Sequence, residues 1–434
     1  MSARRGIRKT TRLHFQTGIA SLPAHSFIGC ALCPQQPAPP ESPMDRRRVV
    51  LAPAAAWCAA ALPLRARAQD GTELVIGSML DLSGPAASAM GQIRYAMQLR
   101  ADELNAAGGV NGRKIRLVFE DNAGQPQQAV RVVQKMLRQD KVFAFVNNFG
   151  SGTNAATVKM IADAGTLNFA PWAASGVLRK ISGESPLLYT TVPDYDHTTT
   201  YGLSWAIQNW KPKKIGLINM EGPLGDLMKA GVDAALKKTG MTLAASSSYK
   251  PGEIDFSSHV ARMKAAGVDL IFGGTIVREN VGIMAEVKKL GWNDVKVLVG
   301  TPGRGGMVPR LGKEQVEGLY GIGQWNLLDL DSTDAAHRKF IDGFRKVAGG
   351  AVEPDENGAM AYFFTHWFLQ IAQAGGAKLD NAAFAKAASA TPGEGFAPYA
   401  TLRFKSHHIE PELVKISEIK GGRWVDVTPK AFGA

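Results

Sequence analysis

From Glu73 onward, short runs that are apolar at nearly every position alternate with stretches whose apolar residues recur every three or four positions. The continuous runs are Leu74–Gly77, Ile115–Phe119, Val142–Val146, Leu167–Ala170, Ile215–Ile218, Leu270–Gly273 and Val295–Val299. Runs of this kind suit parallel strands buried on both faces. The intervening stretches read as amphipathic helices. In Gly91–Ala107, Ile93, Met97, Ala101 and Leu104 share one face, and Arg94, Gln98, Asp102 and Asn105 share the other. Gly108 and Gly109 stop that helix, because glycine accepts the left-handed conformation at a helix end. Pro126 suits the first turn of the next one, with Ala129, Val133, Met136 and Leu137 as its core stripe.

Strand–helix alternation predicts a doubly wound α/β fold. The series runs to about Trp325, long enough for two sheets in succession. Helical patterns follow at Asp334–Val347 and Met360–Ala374, and β-like segments at Ala400–Phe404, Leu413–Ile419 and Arg423–Val427 close the chain. A chain of this length exceeds what one hydrophobic core usually serves, so two domains are expected.

The N-terminal part lacks this pattern. Residues 1–43 are proline-rich and aperiodic, and read as a mis-called start or a long leader. Residues 44–68 form a signal peptide: Arg46, Arg47 and Arg48, then an apolar stretch from Val49 to Leu64, then Ala66-Arg67-Ala68 as a cleavage site. The arginines leave Sec and twin-arginine export open. Export to the periplasm is the expectation, with a mature chain starting near Gln69. Removing 68 residues that carry ten Lys/Arg and two Asp/Glu lowers the formal net charge from +12 to +4, so a nucleic-acid partner is not expected. Cys30, Cys33 and Cys58 all lie in the leader, which removes disulfides and thiolate chemistry from the mature chain.

The mature chain has no Gly-x-Gly-x-x-Gly after a strand, no Walker A sequence and no His-Glu-x-x-His. His407-His408 reads as a surface pair, and no histidine has metal-ligand spacing to a carboxylate. No enzyme activity, metal or cofactor is expected. Two small-residue polar loops do follow strands: Asn147-Asn148-Phe149-Gly150-Ser151-Gly152-Thr153-Asn154, and Pro171-Trp172-Ala173-Ala174-Ser175. Ligands of open α/β sheets bind at such strand ends. A helix N-terminus there favours an anion, and capping of that helix by Ser151 or Thr153 is the structural alternative.

Several segments resemble the leucine/isoleucine/valine-binding protein family of ABC importers. They are Ile76-Gly77-Ser78, Ser83-Gly84-Pro85, Glu103–Arg113 with its Gly-Gly-Val-Asn-Gly, Asp121–Pro126, Asp255-Phe256-Ser257 and Asp269–Gly274. The resemblance implies a type I periplasmic binding protein: two Rossmann-like lobes joined by a three-segment hinge, closing on a ligand. It places lobe 1 at 72–192 and 326–400, and lobe 2 at 193–325 and 401–434. It implies a periplasmic substrate-binding protein for amino-acid transport, a monomer working with an inner-membrane ABC permease. The ligand carboxylate would be held by Gly150-Ser151-Gly152-Thr153 and by Ala173-Ala174-Ser175, and an ammonium by Glu279, with Asp194 and Asp196 near the first crossover.

The sequence departs from that family at three places. Met90 and Leu224 stand where the amino-acid binders carry pocket tyrosines, and Trp172 where a small residue is expected. These changes predict a more apolar pocket and leave an aromatic or other hydrophobic carboxylate open beside an amino acid. A ligand-sensing receptor domain is the competing role.

Overall fold

The computed structural model describes residues 72–433. The leader, its signal peptide and the three cysteines lie outside the described residues. Chain order begins β1 (Glu73–Leu80), α1 (Ala87–Ala106), β2 (Lys114–Asp121), α2 (Pro126–Lys135), β3 (Ala144–Val146), α3 (Ser151–Asp163), β4 (Leu167–Phe169), α4 (Ser175–Ile181) and β5 (Leu188–Tyr189). These strands form one parallel sheet in the order β2-β1-β3-β4-β5. The chain then runs α5 (Tyr195–Trp210), β6 (Ile215–Met220), α6 (Pro223–Thr239), β7 (Leu243–Tyr249), α7 (Ser257–Ala265), β8 (Leu270–Gly274), α8 (Val277–Lys289), β9 (Lys296–Val299), α9 (Met307–Gly312) and β10 (Tyr320–Gly323). Helices α10 (Ala335–Ala348), α11 (Glu356–Ala374) and α12 (Asn381–Ala390) return to the first sheet. A hairpin of β11 (Arg403–Lys405) and β12 (His408–Glu410) follows, then β13 (Leu413–Lys420), β14 (Arg423–Asp426) and β15 (Phe432–Gly433).

The second sheet has the order β14-β13-β10-β9-β8-β6-β7, parallel from β6 to β10 and antiparallel at β13 and β14. Both sheets are covered on two faces, which is why their central strands are apolar throughout. In lobe 1, one face packs Ile93, Met97, Phe364 and Phe368 on the sheet, and the other packs Ala129, Val133 and Ile161. In lobe 2, α5 and α6 cover one face through Leu203, Met228 and Val232, and α7 and α8 cover the other through Val260, Met263 and Ile283.

The pattern reading missed β5, β7 and β10, and the short β12 and β15 as well. β5 has two residues, and β7 is an edge strand whose burial alternates from Leu243 to Ser248, so neither is a continuous apolar run. β10 reads Tyr-Gly-Ile-Gly, and glycine carries no apolar signal. The lobe boundary at 400 also moves. Phe404 and Ile409 of the hairpin pack on the core of the first lobe, and Thr190 N donates to His407 O. The second segment of lobe 1 therefore runs to about Glu410, and lobe 2 resumes at β13.

Candidate functional site

Both sheets present the carboxyl ends of their strands to a cleft between the lobes. A cavity there encloses about 740 Å³ of empty space, part of it open to solvent. Its lobe 1 wall comes from the segment after β1 (Pro85, Ala86 and Met90), the ends of β3 and β4 (Phe149 and Trp172), and α11 (Asn357 and Met360). Its lobe 2 wall comes from the ends of β8 (Ile276, Val277, Arg278), β9 (Thr301, Pro302, Gly305) and β10 (Gln324). Val192 and Tyr195 at the first crossover complete it. This is where an open α/β sheet places a ligand.

The lobe 1 wall is held by its own hydrogen bonds. Asp81 accepts from Gly84 N at 2.6 Å and Ala86 N at 2.9 Å, which fixes the Pro85 turn. Asn147 and Ala170, just beyond β3 and β4, take positive φ, and the chain turns there. Asn147 accepts from the Trp172 indole at 3.1 Å and donates to Thr365 Oγ at 3.1 Å. Trp172, 7% exposed, also meets Phe364 edge-on. Gly150 N donates to Trp172 O at 3.0 Å. Ala174 N donates to Ser151 Oγ at 3.0 Å, Thr153 Oγ donates to Phe149 O at 2.6 Å, and Ser175 Oγ donates to Val192 O at 2.6 Å.

The sequence-predicted residues therefore divide. Met90, Phe149 and Trp172 line the cavity, whereas Gly150, Ser151, Gly152, Thr153, Ala173, Ala174 and Ser175 are not part of its lining. Their polar side chains and the Gly150 amide serve the loops themselves, while α3 has no side-chain cap over its first-turn amides. Leu224 sits in the lobe 2 core, and Asp196 lies in the first turn of α5.

Asp194, 4% exposed, pairs with Arg179 at 2.5 Å and belongs to the hinge. Its amide donates to Glu412, which also accepts from His197 and, at 2.8 Å, from His408. Burial alone would raise Glu412, but the hydrogen bonds from His197, His408 and the Asp194 amide override it and hold the carboxyl at about 2. The Glu412 hydrogen bond raises His197 to about 9. His408 is thus a hinge residue rather than a surface one, and the His407 ring packs on Tyr189 at 4.8 Å. Asp194, His197 and Glu412 bring metal-ligating atoms within 4.8 Å of one another, each already engaged as described. Spacing could not reveal this cluster, because Glu412 lies 215 residues from His197.

Glu279 is 3% exposed, its Oε2 has no partner among the described residues, and it does not line the cavity. Burial pushes its carboxyl above the usual range, against a weaker opposing pull from Arg278. The residue before it, Arg278, reaches the cavity. Successive helical residues point about 100° apart, so the first turn of α8 sends Arg278 to the cleft and Glu279 into the lobe. Arg278 is exposed and forms no ion pair or hydrogen bond among the described residues. Behind this wall, Asn280 bridges Thr275 and Gly303 O (2.8 Å to the latter), and buried Arg304 donates to Trp325 O at 3.2 Å and Ser417 Oγ at 3.1 Å.

Residues 73–422 match the profile of the Periplasmic binding protein family. The chain belongs to that family. A Leu/Ile/Val-binding protein of Rhizobium johnstonii is 27% identical over 247 residues, 54% of this chain and 66% of that protein. The chain spans less than two thirds of the length of the first curated relatives it matches. Among solved structures, a solute-binding protein of an ABC transporter from R. palustris, in complex with benzoate, superposes with a TM-score of 0.73 at 17% identity. That match covers 83% of this chain and 98% of the other. A branched-chain amino acid transporter substrate-binding protein from Streptococcus pneumoniae, in complex with isoleucine, gives 0.71 at 21% identity, covering 83% and 100%. The fold is that of a type I periplasmic binding protein, and the family is Leu/Ile/Val-binding-protein-like.

Proposed function

We propose that this periplasmic binding protein is the exported substrate receptor of an ABC-type importer, and that its lobes close on a small hydrophobic carboxylic acid, aromatic acids foremost, without an ammonium group. The observation that carries the reading is the composition of the cavity wall. Among the described residues it holds Met90, Phe149, Trp172, Tyr195, Ile276, Val277 and Met360, one cation at Arg278, and no carboxylate. An aromatic ring gains from such apolar walls. Its carboxylate gains a charge-assisted hydrogen bond from a guanidinium that forms no ion pair among the described residues. An ammonium enclosed there would lose its water without an anion in the lining to replace it, which is costly. The benzoate complex of the R. palustris relative gives a precedent within this fold.

The exported chain acts as a monomer that hands its ligand to an inner-membrane permease. Thermal unfolding of the purified mature protein with benzoate, octanoate and leucine tests the reading, since a ligand bound only by the folded state raises apparent stability. Benzoate or octanoate is expected to raise Tm, and leucine to leave it unchanged. A rise with leucine alone would overturn the choice of ligand and direct attention to Glu356, buried beside Asn357 with its Oε1 unpartnered among the described residues.

A further inference from the structure

We infer that Gly306 and Arg310 of lobe 2 form a latch that holds this cleft shut and sets ligand affinity without touching the ligand; the inference rests on the reading above that the lobes close on a ligand, not on which acid it is. Neither residue lines the cavity. Gly306 immediately precedes α9 and Arg310 lies within it. Both meet lobe 1 at the start of α11 and the residues just before it.

Arg310 donates from both terminal nitrogens of its guanidinium, to Glu353 O at 2.9 Å and to Pro354 O at 2.9 Å. The fork spans two consecutive carbonyls of the other lobe, and bonds from a charged donor are stronger than neutral ones. Each side of the contact is fixed in its own lobe. In lobe 1, Arg345 of α10 pairs with the Glu353 side chain at 2.8 Å, and Asp355 N donates to Gln92 of α1 at 2.8 Å. In lobe 2, Gly305 O accepts from Trp424 Nε1 at 3.0 Å and from Val308 N at 2.9 Å, and Val308 is buried in the lobe 2 core.

Gly306 shows how close the lobes come. Its backbone is right-handed, with φ −58° and ψ −21°, so conformation does not call for glycine there. The other lobe does. A Cβ at this position would lie 2.7 Å from Asp355 Cβ and 3.2 Å from Glu356 Oε2. Asp355 caps α11, accepting from Asn357 N at 2.9 Å, and its Cβ is bonded to the main chain, so it cannot swing aside. Carbon atoms pack at about 3.5–4.0 Å. An added methyl would therefore part the lobes by about 1 Å at this point, and the two Arg310 bonds, now 2.9 Å, would stretch out of hydrogen-bonding range.

Apparent affinity scales with the population of the binding-competent form, so weakening the latch should weaken any ligand without altering the contacts it makes. Residues 69–434 contain no cysteine. Spin labels on Lys346→Cys of α10 and Glu314→Cys just after α9, both exposed, therefore report the distance between the lobes of the mature protein. Gly306→Ala and Arg310→Ala are each expected to lengthen and broaden that distance in the ligand-free protein, and to weaken benzoate binding in calorimetry about fivefold to fiftyfold. The double variant should stay within about threefold of Gly306→Ala, because parted lobes leave Arg310 little to lose. Arg310→Lys should restore only part of the affinity, since an ammonium lacks the fork. Cooperative melts check that each variant is folded. Label distances equal to wild type in both alanine variants, or longer distances with benzoate affinity unchanged, would overturn the latch. Lengthened distances in a protein whose wild type does not bind benzoate would overturn the choice of ligand and leave the latch standing.

Discussion

The two walls of the cleft are built from the same kind of element, loops at the carboxyl ends of parallel strands, yet they use their polar groups in opposite ways. In lobe 1, Asn147, Ser151, Thr153 and Ser175 bond to neighbouring backbone or side chains, so the wall offers the cavity Met90, Phe149 and Trp172. In lobe 2, the loops are braced from behind by Asn280 and Arg304, and Arg278 reaches the cavity without an ion pair or hydrogen bond among the described residues. On the proposed reading, lobe 1 supplies shape and lobe 2 supplies polar recognition. A receptor divided in this way can change ligand class by altering a few lobe 2 residues without disturbing its apolar wall.

The comparison breaks most visibly at Trp172. Its ring is both wall and core, and its indole N–H is the partner of buried Asn147. Trp172→Ala is expected to cost about 3–5 kcal/mol of folding stability, the usual cost of removing a buried tryptophan, and to weaken every aromatic acid together. Urea unfolding with calorimetry checks both. Unchanged stability would mean that the lobe 1 wall is not a scaffold.

Arg278 provides the opposite case. It is exposed and has no partner among the described residues to lose in the free protein, so Arg278→Gln should change folding stability by less than about 0.5 kcal/mol. Affinity for an acid should fall about tenfold to a hundredfold, in the range of one charge-assisted hydrogen bond. The wild-type affinity should weaken with added salt and the variant's should not. Equal affinity in variant and wild type would move the anion to another donor, with the first-turn amides of α3 next in line.

The same contrast explains what was legible in the sequence. Continuous apolar runs and helix periodicity located most strands of both sheets, because burial on two faces leaves a mark on every residue. The loops were harder. Gly150–Thr153 and Ala173–Ser175 are small and polar, which is what an anion site looks like, but those residues also suit loops that bond to themselves. Nothing local distinguishes the two, since the partner of Ala174 N is Ser151, on another strand's loop. The lobe 2 site was missed for a different reason. The family resemblance selected Glu279, and one residue of helix register separates an acid facing the lobe interior from Arg278 facing the cleft. Thr301 and Gln324 have no motif at all; the only signal would have been their position just after consecutive strands, and β10 itself was not read.

Ser151→Ala sharpens the lobe 1 side at smaller scale. The loop would lose the acceptor for Ala174 N, at a cost of about 1–3 kcal/mol in stability for the amide left unpaired. Affinity for an aromatic acid should change less than about threefold. A large affinity loss at unchanged stability, read by thermal melts and calorimetry, would return Ser151 to the ligand.

Glu279→Gln is the mildest change expected and the one that most directly separates acid from cation on α8. Burial holds the Glu279 carboxyl above its ordinary value of 4.5, with Arg278 opposing and Tyr249 close enough to feel its charge. Between that ordinary value and the raised one, the folded chain keeps a proton that the unfolded chain has released. The stability associated with that proton is fully present at the acid end and is lost as pH rises through the window, at about 1.4 kcal/mol for each pH unit the window spans. Glutamine is neutral at every pH and lacks this decline. The Tm of Glu279→Gln relative to wild type should therefore rise as pH is raised above the ordinary carboxyl value of 4.5, while affinity for benzoate stays within about threefold because the carboxyl does not line the cavity. Melts across that range and calorimetry at neutral pH read the two quantities separately. A flat Tm difference with a sharp loss of affinity would place Glu279 in contact with the ligand, and the division between a lobe that shapes and a lobe that recognises would then have to include an acid.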